Sequence, residues 1–376
     1  MLRLQSPLPD EYTVADNQTL VSRIEAAKAE LGSRVLILGH HYQRDEVMRW
    51  ADARGDSFGL SRLAAANDHA RYVVFCGVHF MAESADILTG PEQAVILPDL
   101  NAGCSMADMA DIDSVTEAWE AIAGVTDVSA VVPITYMNSS AALKAFVGRE
   151  GGAVCTSSNA GAVLTWALAQ HGPATKLLFF PDQHLGRNTG CQLGFTGDDM
   201  AVWDPRVELG GLDERTVKER RFLLWKGHCS VHQRFRPAHV EAWRHVHPGG
   251  LVIAHPECSH DVVTLADQVG STDAIIAAVE VESARVASGV VAPGTAIAIA
   301  TEIHLVARLA NEHPDLDIVS LDPLVCPCST MFRVDAPHLC WVLENLVEGR
   351  VVNRITVDDA VAADARVALE RMLAIT

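Results

Sequence analysis

Three times along the chain, apolar strands alternate with amphipathic helices and the run closes on a cysteine, and this repeat constrains the fold more than any other feature. The first unit reads strand RVLILGH (34–40), helix DEVMRWADA, turn GDS (55–57), helix FGLSRLAAA, strand YVVFCG, helix FMAESADIL and strand AVILPD, followed by Cys104. The second reads VVPITYMN (131–138), helix SAALKAFV, strand GAVCTSSN, helix AGAVLTWALA and strand KLLFFPDQH, then a long polar insertion and Cys229. The third reads LVIAHPE (251–257), helix CSHDVVTLAD, turn GST (270–272), helix DAIIAAVEV, strand AIAIATEIH, helix LVARLAN and strand DIVSLDP, then Cys326 and Cys328.

Spacing supports the repeat: His40 to Ser57 and His255 to Thr272 are both 17 residues, and Tyr136 to Ser157 is 21 with an extra GREGG stretch at 148–152. Runs such as VLILG, LLFF and AIAIA suit parallel strands buried on both faces by helices. The expected fold class is α/β, with three homologous three-layer α/β/α domains related by a pseudo-threefold axis and the active site at the centre. The units are placed at 20–103, 104–228 and 229–334, with 335–376 expected to pack on the first. Pro133 inside a strand removes a ladder donor, so that strand is expected to start late or to bulge.

Ligands of such sheets bind beyond the carboxyl ends of the strands, where GHHYQ, TYMNSS, AHPE, GDS, TSSN and GST fall. Three such edges facing one centre would enclose one site. Each unit also brings a cysteine to that end: Cys104, Cys229, and Cys328 or Cys326. A lone cysteine reads as a small buried hydrophobe, but threefold recurrence favours a shared iron-sulfur cluster, and three thiolates leave one iron of four open. The CPC pair has no second ligand pair nearby, which ranks structural zinc lower.

His40, Tyr42, His255 and Glu257 lie at or just past strand ends and are candidate proton-transfer groups. Ser57, Ser157 and Thr272 are each expected at the start of a helix, where hydroxyls and free amides either cap the helix or bind an anion. No GxGxxG follows a strand and no GxxxxGK[ST] is present, so nucleotide-binding loops are lacking.

The formal charge of −19 over 376 residues would repel nucleic acid and anionic lipid, which argues against both as partners. The N-terminal residues lack the apolar run of a signal peptide, no run is long enough to span a bilayer, and nine scattered cysteines suit a reducing compartment. A cytoplasmic location is expected.

The motifs GHHYQRDEV, GDS, PDLNAGCSMAD, YMNSS, CTSSNA, FFPDQHLGRNT, WKGHCSVH, AHPEC, GST, ATEIHLVARLA and CPCSTM, in this order over about residues 34–345, closely resemble the quinolinate synthase (NadA) family of NAD biosynthesis. That resemblance implies condensation of iminosuccinate with dihydroxyacetone phosphate to quinolinate, phosphate and water. It also implies one 4Fe-4S cluster per chain acting as a Lewis acid at its open iron, and an aspartate oxidase or dehydrogenase supplying iminosuccinate. Carried over residue by residue, the cluster ligands fall on Cys104, Cys229 and Cys328, with Met331 completing a Cys-x-x-Met pattern and Cys326 as runner-up. Substrate binding falls on His40, Ser57, Tyr136, Asn138, Ser157, His255, Glu257 and Thr272, and catalysis on Tyr42, His255 and Glu257. The segment from Gly190 to Lys226 departs from a minimal family pattern. Two other readings use the same cysteines: an iron-sulfur sensor, which here lacks a basic recognition helix, and an iron-sulfur hydro-lyase acting on a small hydroxy acid.

Overall fold

A computed structural model of the chain describes residues 5, 7–322, 324 and 327–375. Cys326 lies outside the described residues. Two compact units result, one from Met1–Cys104 with Cys328–Ala362 and the other from Ser105–Pro327 with Ala363–Thr376.

Fourteen strands are found among the described residues. In chain order they are β1 (Val35–His40), β2 (Ala53–Gly55), β3 (Tyr72–Cys76), β4 (Ala94–Ile96), β5 (Val131–Tyr136), β6 (Ala153–Cys155), β7 (Lys176–Phe180), β8 (Met200–Trp203), β9 (Phe222–Trp225), β10 (Leu251–Ala254), β11 (Gln268–Val269), β12 (Thr295–Ala300), β13 (Leu316–Ser320) and β14 (Arg354–Ile355). They form three sheets of order β14-β4-β3-β1-β2, β6-β5-β7-β9-β8 and β11-β10-β12-β13. Only the β14–β4 pairing is antiparallel. Leaving out β8 and β14, each sheet runs second, first, third, fourth strand, which is the α/β class that the alternating pattern predicts.

The first unit holds the first of these sheets. Every residue of β3 is buried, as expected of a parallel strand covered on both faces. The helix Asn17–Leu31, capped by Asp16 accepting from the Thr19 amide, packs against Ala336–Val347.

The second unit holds the other two sheets. Its β5, β7 and β9 are buried throughout. Fully buried Phe179, Phe180 and Phe222 each contribute about 1.5–3 kcal/mol of transfer free energy. Phe235, Val240, Val252, Ala254, Val262, Ala298, Ala300 and Leu321 form one core around β10 and β12.

Two expectations are corrected. The strand at Pro133 neither starts late nor bulges: β5 is continuous from Val131, with Pro133 opposite Leu178 of β7. On its other side β6 joins only at Ala153, opposite Ile134, so the missing donor falls where β5 is flanked on one side. Nor is the segment before Cys229 only a polar insertion. It contains β8 and β9, and β9, sequence FLLW, is the second repeat's fourth strand; KLLFF is its third.

Candidate active site

The first two strands of each repeat place their ends side by side. Ladder partners are His40 with Gly55, Tyr136 with Cys155, and Ala254 with Val269. Ser57 and Ser157 follow the second partner by two residues, and Thr272 follows by three. Helix capping falls to other residues: Asp56 accepts from Gly59, and Ser271 from Ala274. Ser57 and Thr272 are the first helical residues of Ser57–Ala66 and Thr272–Ala287, while Ser157 lies in the turn before Ala160–Ala169. Ordinary capping therefore does not account for the Ser57 and Thr272 hydroxyls.

In the first unit, His40 is buried at the end of β1 and its Nδ1 accepts from the Tyr42 amide at 3.2 Å. The His40 and Tyr42 rings meet edge-on, 4.9 Å between centroids. Cys104 and Cys328 are half-buried cysteines of this unit.

In the second unit, Tyr136 and Glu257 come together. The Tyr136 hydroxyl donates to Glu257 Oε1 at 2.5 Å. Glu257 Oε2 lies 2.8 Å from His232 Nδ1, an ion-pair distance without hydrogen-bond alignment. The His232 ring stacks on His255 with centroids 4.5 Å apart, and His232 Nε2 meets Thr301 Oγ1 at 3.2 Å. Asn138, half-buried, follows Tyr136 by two residues.

Burial decides the protonation states of this group. It pushes the His255 imidazole down to about 3, against the Glu257 charge, so the ring is neutral at neutral pH. It also pushes the Glu257 carboxyl up, but His232, His255 and the Tyr136 hydroxyl outweigh it and hold Glu257 below the ordinary glutamate range. Nearby, burial and the Glu257 carboxylate push Asp182 well above the ordinary aspartate range. The result is a buried carboxylate with a phenol donating to it, an arrangement able to pass a proton between the two.

His232 is the residue that sequence reasoning missed. A signal was present, because His232 stands three residues after Cys229, and one ligand atom each of Cys229, His232 and Glu257 lies within 4.8 Å of the others. Asn188 was also missed. From the helix Gln183–Gln192 its Nδ2 donates to the Pro256 and Cys258 carbonyls at 2.8 and 2.9 Å, and its Oδ1 meets His260 Nδ1 at 2.9 Å. These bonds hold both sides of Glu257.

The donor set fits an iron-sulfur cluster in its chemistry. Cys76, Cys155, Cys258 and Cys340 are buried, and burial raises each thiol, with Cys76 and Cys340 at about 12, so they stay protonated. Cys104, Cys191, Cys229 and Cys328 are the half-buried ones. Of these four, only Cys191 lacks the shared setting: the others each stand three residues before a short 3-10 turn, at Ala107–Met109, His232–Arg234 and Met331–Arg333.

The family model described as quinolinate synthetase A protein matches residues 22–374. A quinolinate synthase of a Nocardioides species is 54% identical over 371 residues, covering 98% of this chain and 92% of that protein. One from Geobacillus thermodenitrificans is 54% identical over 373 residues, covering 98% and 96%. One from Corynebacterium glutamicum is 51% identical over 371 residues, covering 99% and 91%. No helix among the described residues is long and apolar enough to cross a membrane. With a match running from residue 22 to residue 374 and identities above one half, the chain belongs to the quinolinate synthase family of enzymes.

Proposed function

We propose that this enzyme acts in the cytoplasm in de novo NAD biosynthesis as a carbon-carbon bond-forming transferase. It condenses iminosuccinate with dihydroxyacetone phosphate and releases quinolinate, phosphate and water. Iminosuccinate would come from an aspartate oxidase or dehydrogenase. The observation that carries this reading is the buried Tyr136–Glu257–His232 group beside Cys229, in a chain matched by the family over residues 22–374.

The proposed ligands of one 4Fe-4S cluster are Cys104, Cys229 and Cys328. Cys328 is favoured over Cys326 because the 3-10 turn after it begins at the third residue, as it does after Cys104 and Cys229. When bound, such a cluster supplies a Lewis-acidic iron that carries no protein thiolate.

The chain's own residues have separate tasks. Ser57, Ser157 and Thr272, with neighbouring backbone amides, receive the carboxylates and phosphate of the substrates. His40, Asn138 and neutral His255 orient them by hydrogen bonding. Glu257, ionised and already bonded to the Tyr136 hydroxyl, accepts a proton and returns it, and Tyr42 is a second carrier. Around Tyr136, His255 and Glu257, which are buried, exclusion of water strengthens the polar contacts. The repeats at 20–103, 104–228 and 229–334 are proposed as three homologous domains about a pseudo-threefold axis, with 335–376 added to the first.

An anaerobic assay of quinolinate formation from both substrates, with iron and sulfide analysis, tests the reading. The Cys104→Ser protein should lose cluster absorbance and activity together. Full activity without iron overturns the cluster assignment, and absence of quinolinate overturns the reaction in favour of a hydro-lyase.

A further inference from the structure

The 3-10 turns that follow Cys104, Cys229 and Cys328 all end at the fifth residue after the cysteine: Met109, Arg234 and Arg333. Each of these residues reaches the end of a fourth strand. Continuing the ladder registers, Asp99, Lys226 and Asp322 stand opposite Gly77, Pro181 and Thr301, the residues just before the N-caps of three helices.

Within the first unit, Arg333 Nε donates to Asp99 Oδ2 at 3.0 Å, and Asp99 Oδ1 accepts the Asn101 amide at 2.8 Å. Within the second, Arg234 Nε donates to Asp322 Oδ2 at 3.0 Å, and Asp322 Oδ1 accepts the Leu324 amide at 2.8 Å. The two clamps share these atoms, and in the first Asn101 Nδ2 adds a bond to Asp99 Oδ1 at 3.1 Å. Both aspartates are buried, 2% and 6% exposed, so each arginine neutralises a carboxylate that water does not reach.

At the third position both partners are exchanged together. Lys226 replaces the aspartate and turns outward to Asp204, at 2.8 Å, while Met109 replaces the arginine. The amide two residues on, that of His228, donates to Met109 Sδ at 3.4 Å, and the Met109 carbonyl accepts from Trp225 Nε1 at 2.7 Å. A neutral contact stands where two charged clamps stand elsewhere.

We propose that Arg234 and Arg333 are positioning residues that set the Cys229 and Cys328 loops for the cluster by tying each 3-10 turn to a buried strand-end aspartate. The proposal rests on the cluster reading above. It assigns the two arginines no contact with substrate or iron. Further support for the Cys328 loop comes from Gln43, whose Nε2 donates to the Met331 carbonyl at 3.2 Å, and from Arg44, which donates to the Phe332 carbonyl at 2.6 Å.

The test uses anaerobically prepared holoenzyme with Arg234→Met and Arg333→Met, the residue the chain itself uses at 109, beside Arg234→Lys and Arg333→Lys. Arg206→Met, which breaks an exposed pair with Asp204, is the control. Iron and sulfide per chain and the half-time of iron release to a ferrous chelator are measured, along with the melting temperature of the cluster-free form. The methionine variants should release iron about tenfold faster than the parent, the size expected for losing a residue that supports a metal ligand, with the lysine variants between and the control unchanged. Lysine keeps the charge beside the buried carboxylate and carries the comparison if a methionine variant does not fold. Release at the parent rate in the variants that fold overturns the proposal. So does an acceleration that vanishes when variants are compared at equal distance below their cluster-free melting temperatures. A parent without iron and sulfide overturns the cluster reading instead, and the clamp with it.

Discussion

The Tyr136 hydroxyl donates to Glu257 Oε1 at 2.5 Å, joining the end of β5 to the loop after β10. His40 and Tyr136 end the first strands of their repeats and His255 stands just past the end of the third's, and Tyr136 and Glu257 depend on each other. Tyr136 helps keep Glu257 ionised, and Glu257 holds the phenol in place.

Tyr136→Phe removes that donor while keeping the ring. We expect kcat to fall by about 10²-fold, the lower end for loss of a proton-transfer partner. The Glu257 carboxyl should also rise toward the ordinary glutamate range, so the acidic limb of the pH-rate profile should move up. Steady-state assays across pH check both; an unmoved limb would show that the phenol does not tune Glu257.

Buried His255 and half-buried His184, both neutral at neutral pH, give stability a definite pH dependence. Burial lowers His255 to about 3 and His184 to about 4, whereas the unfolded chain takes up those protons near 6.5. Between those values the unfolded state binds more protons, so stability rises with pH over this window and falls as pH drops from about 6.5 toward 4. The double variant His184→Gln, His255→Gln should show a flatter melting temperature over the same window. Equal slopes in the two proteins would contradict the assignment of neutral rings.

Asn188→Ala leaves two carbonyls and an imidazole of the Glu257 loop without their partner. Because Asn188 is buried, 1% exposed, water does not replace the lost bonds and about 1–3 kcal/mol of stability should go. The kcat should fall about tenfold as Glu257 loses its fixed position, with a smaller change in KM. Denaturant unfolding and kinetics on one preparation check the two parts; unchanged kcat would limit Asn188 to a structural role.

Alternating buried strands and helices were readable because a parallel sheet needs continuous apolar runs, and AVI, KLLFF and TAIAIA supply them. β9 was hidden for a different reason. Its four residues follow residues 190–221, where charged residues are frequent and apolar ones are scattered, and β8, an added edge strand, has no counterpart in the other repeats. Pro133 misled because a propensity acts on one residue, while tolerance depends on which side of the strand is occupied. Tyr136, His255, Glu257 and the hydroxyls could be located as strand-end and helix-start residues. His232 could not be found that way, since its significance comes from stacking on His255 and approaching Glu257 across the fold. The Arg234–Asp322 and Arg333–Asp99 pairs span 88 and 234 residues, and no local pattern marks them.

On the proposed assignment, the distribution of one cysteine per repeat has a consequence for how the enzyme is made. Cys104, Cys229 and Cys328 are separated by 125 and 99 residues, so no contiguous stretch of the emerging polypeptide carries a complete ligand set. Iron and sulfide can be installed only after nearly the whole chain has left the ribosome. The metal-free chain must therefore wait for its cluster, and the clamps proposed for the Cys229 and Cys328 loops, made of protein alone, would hold those loops in the meantime.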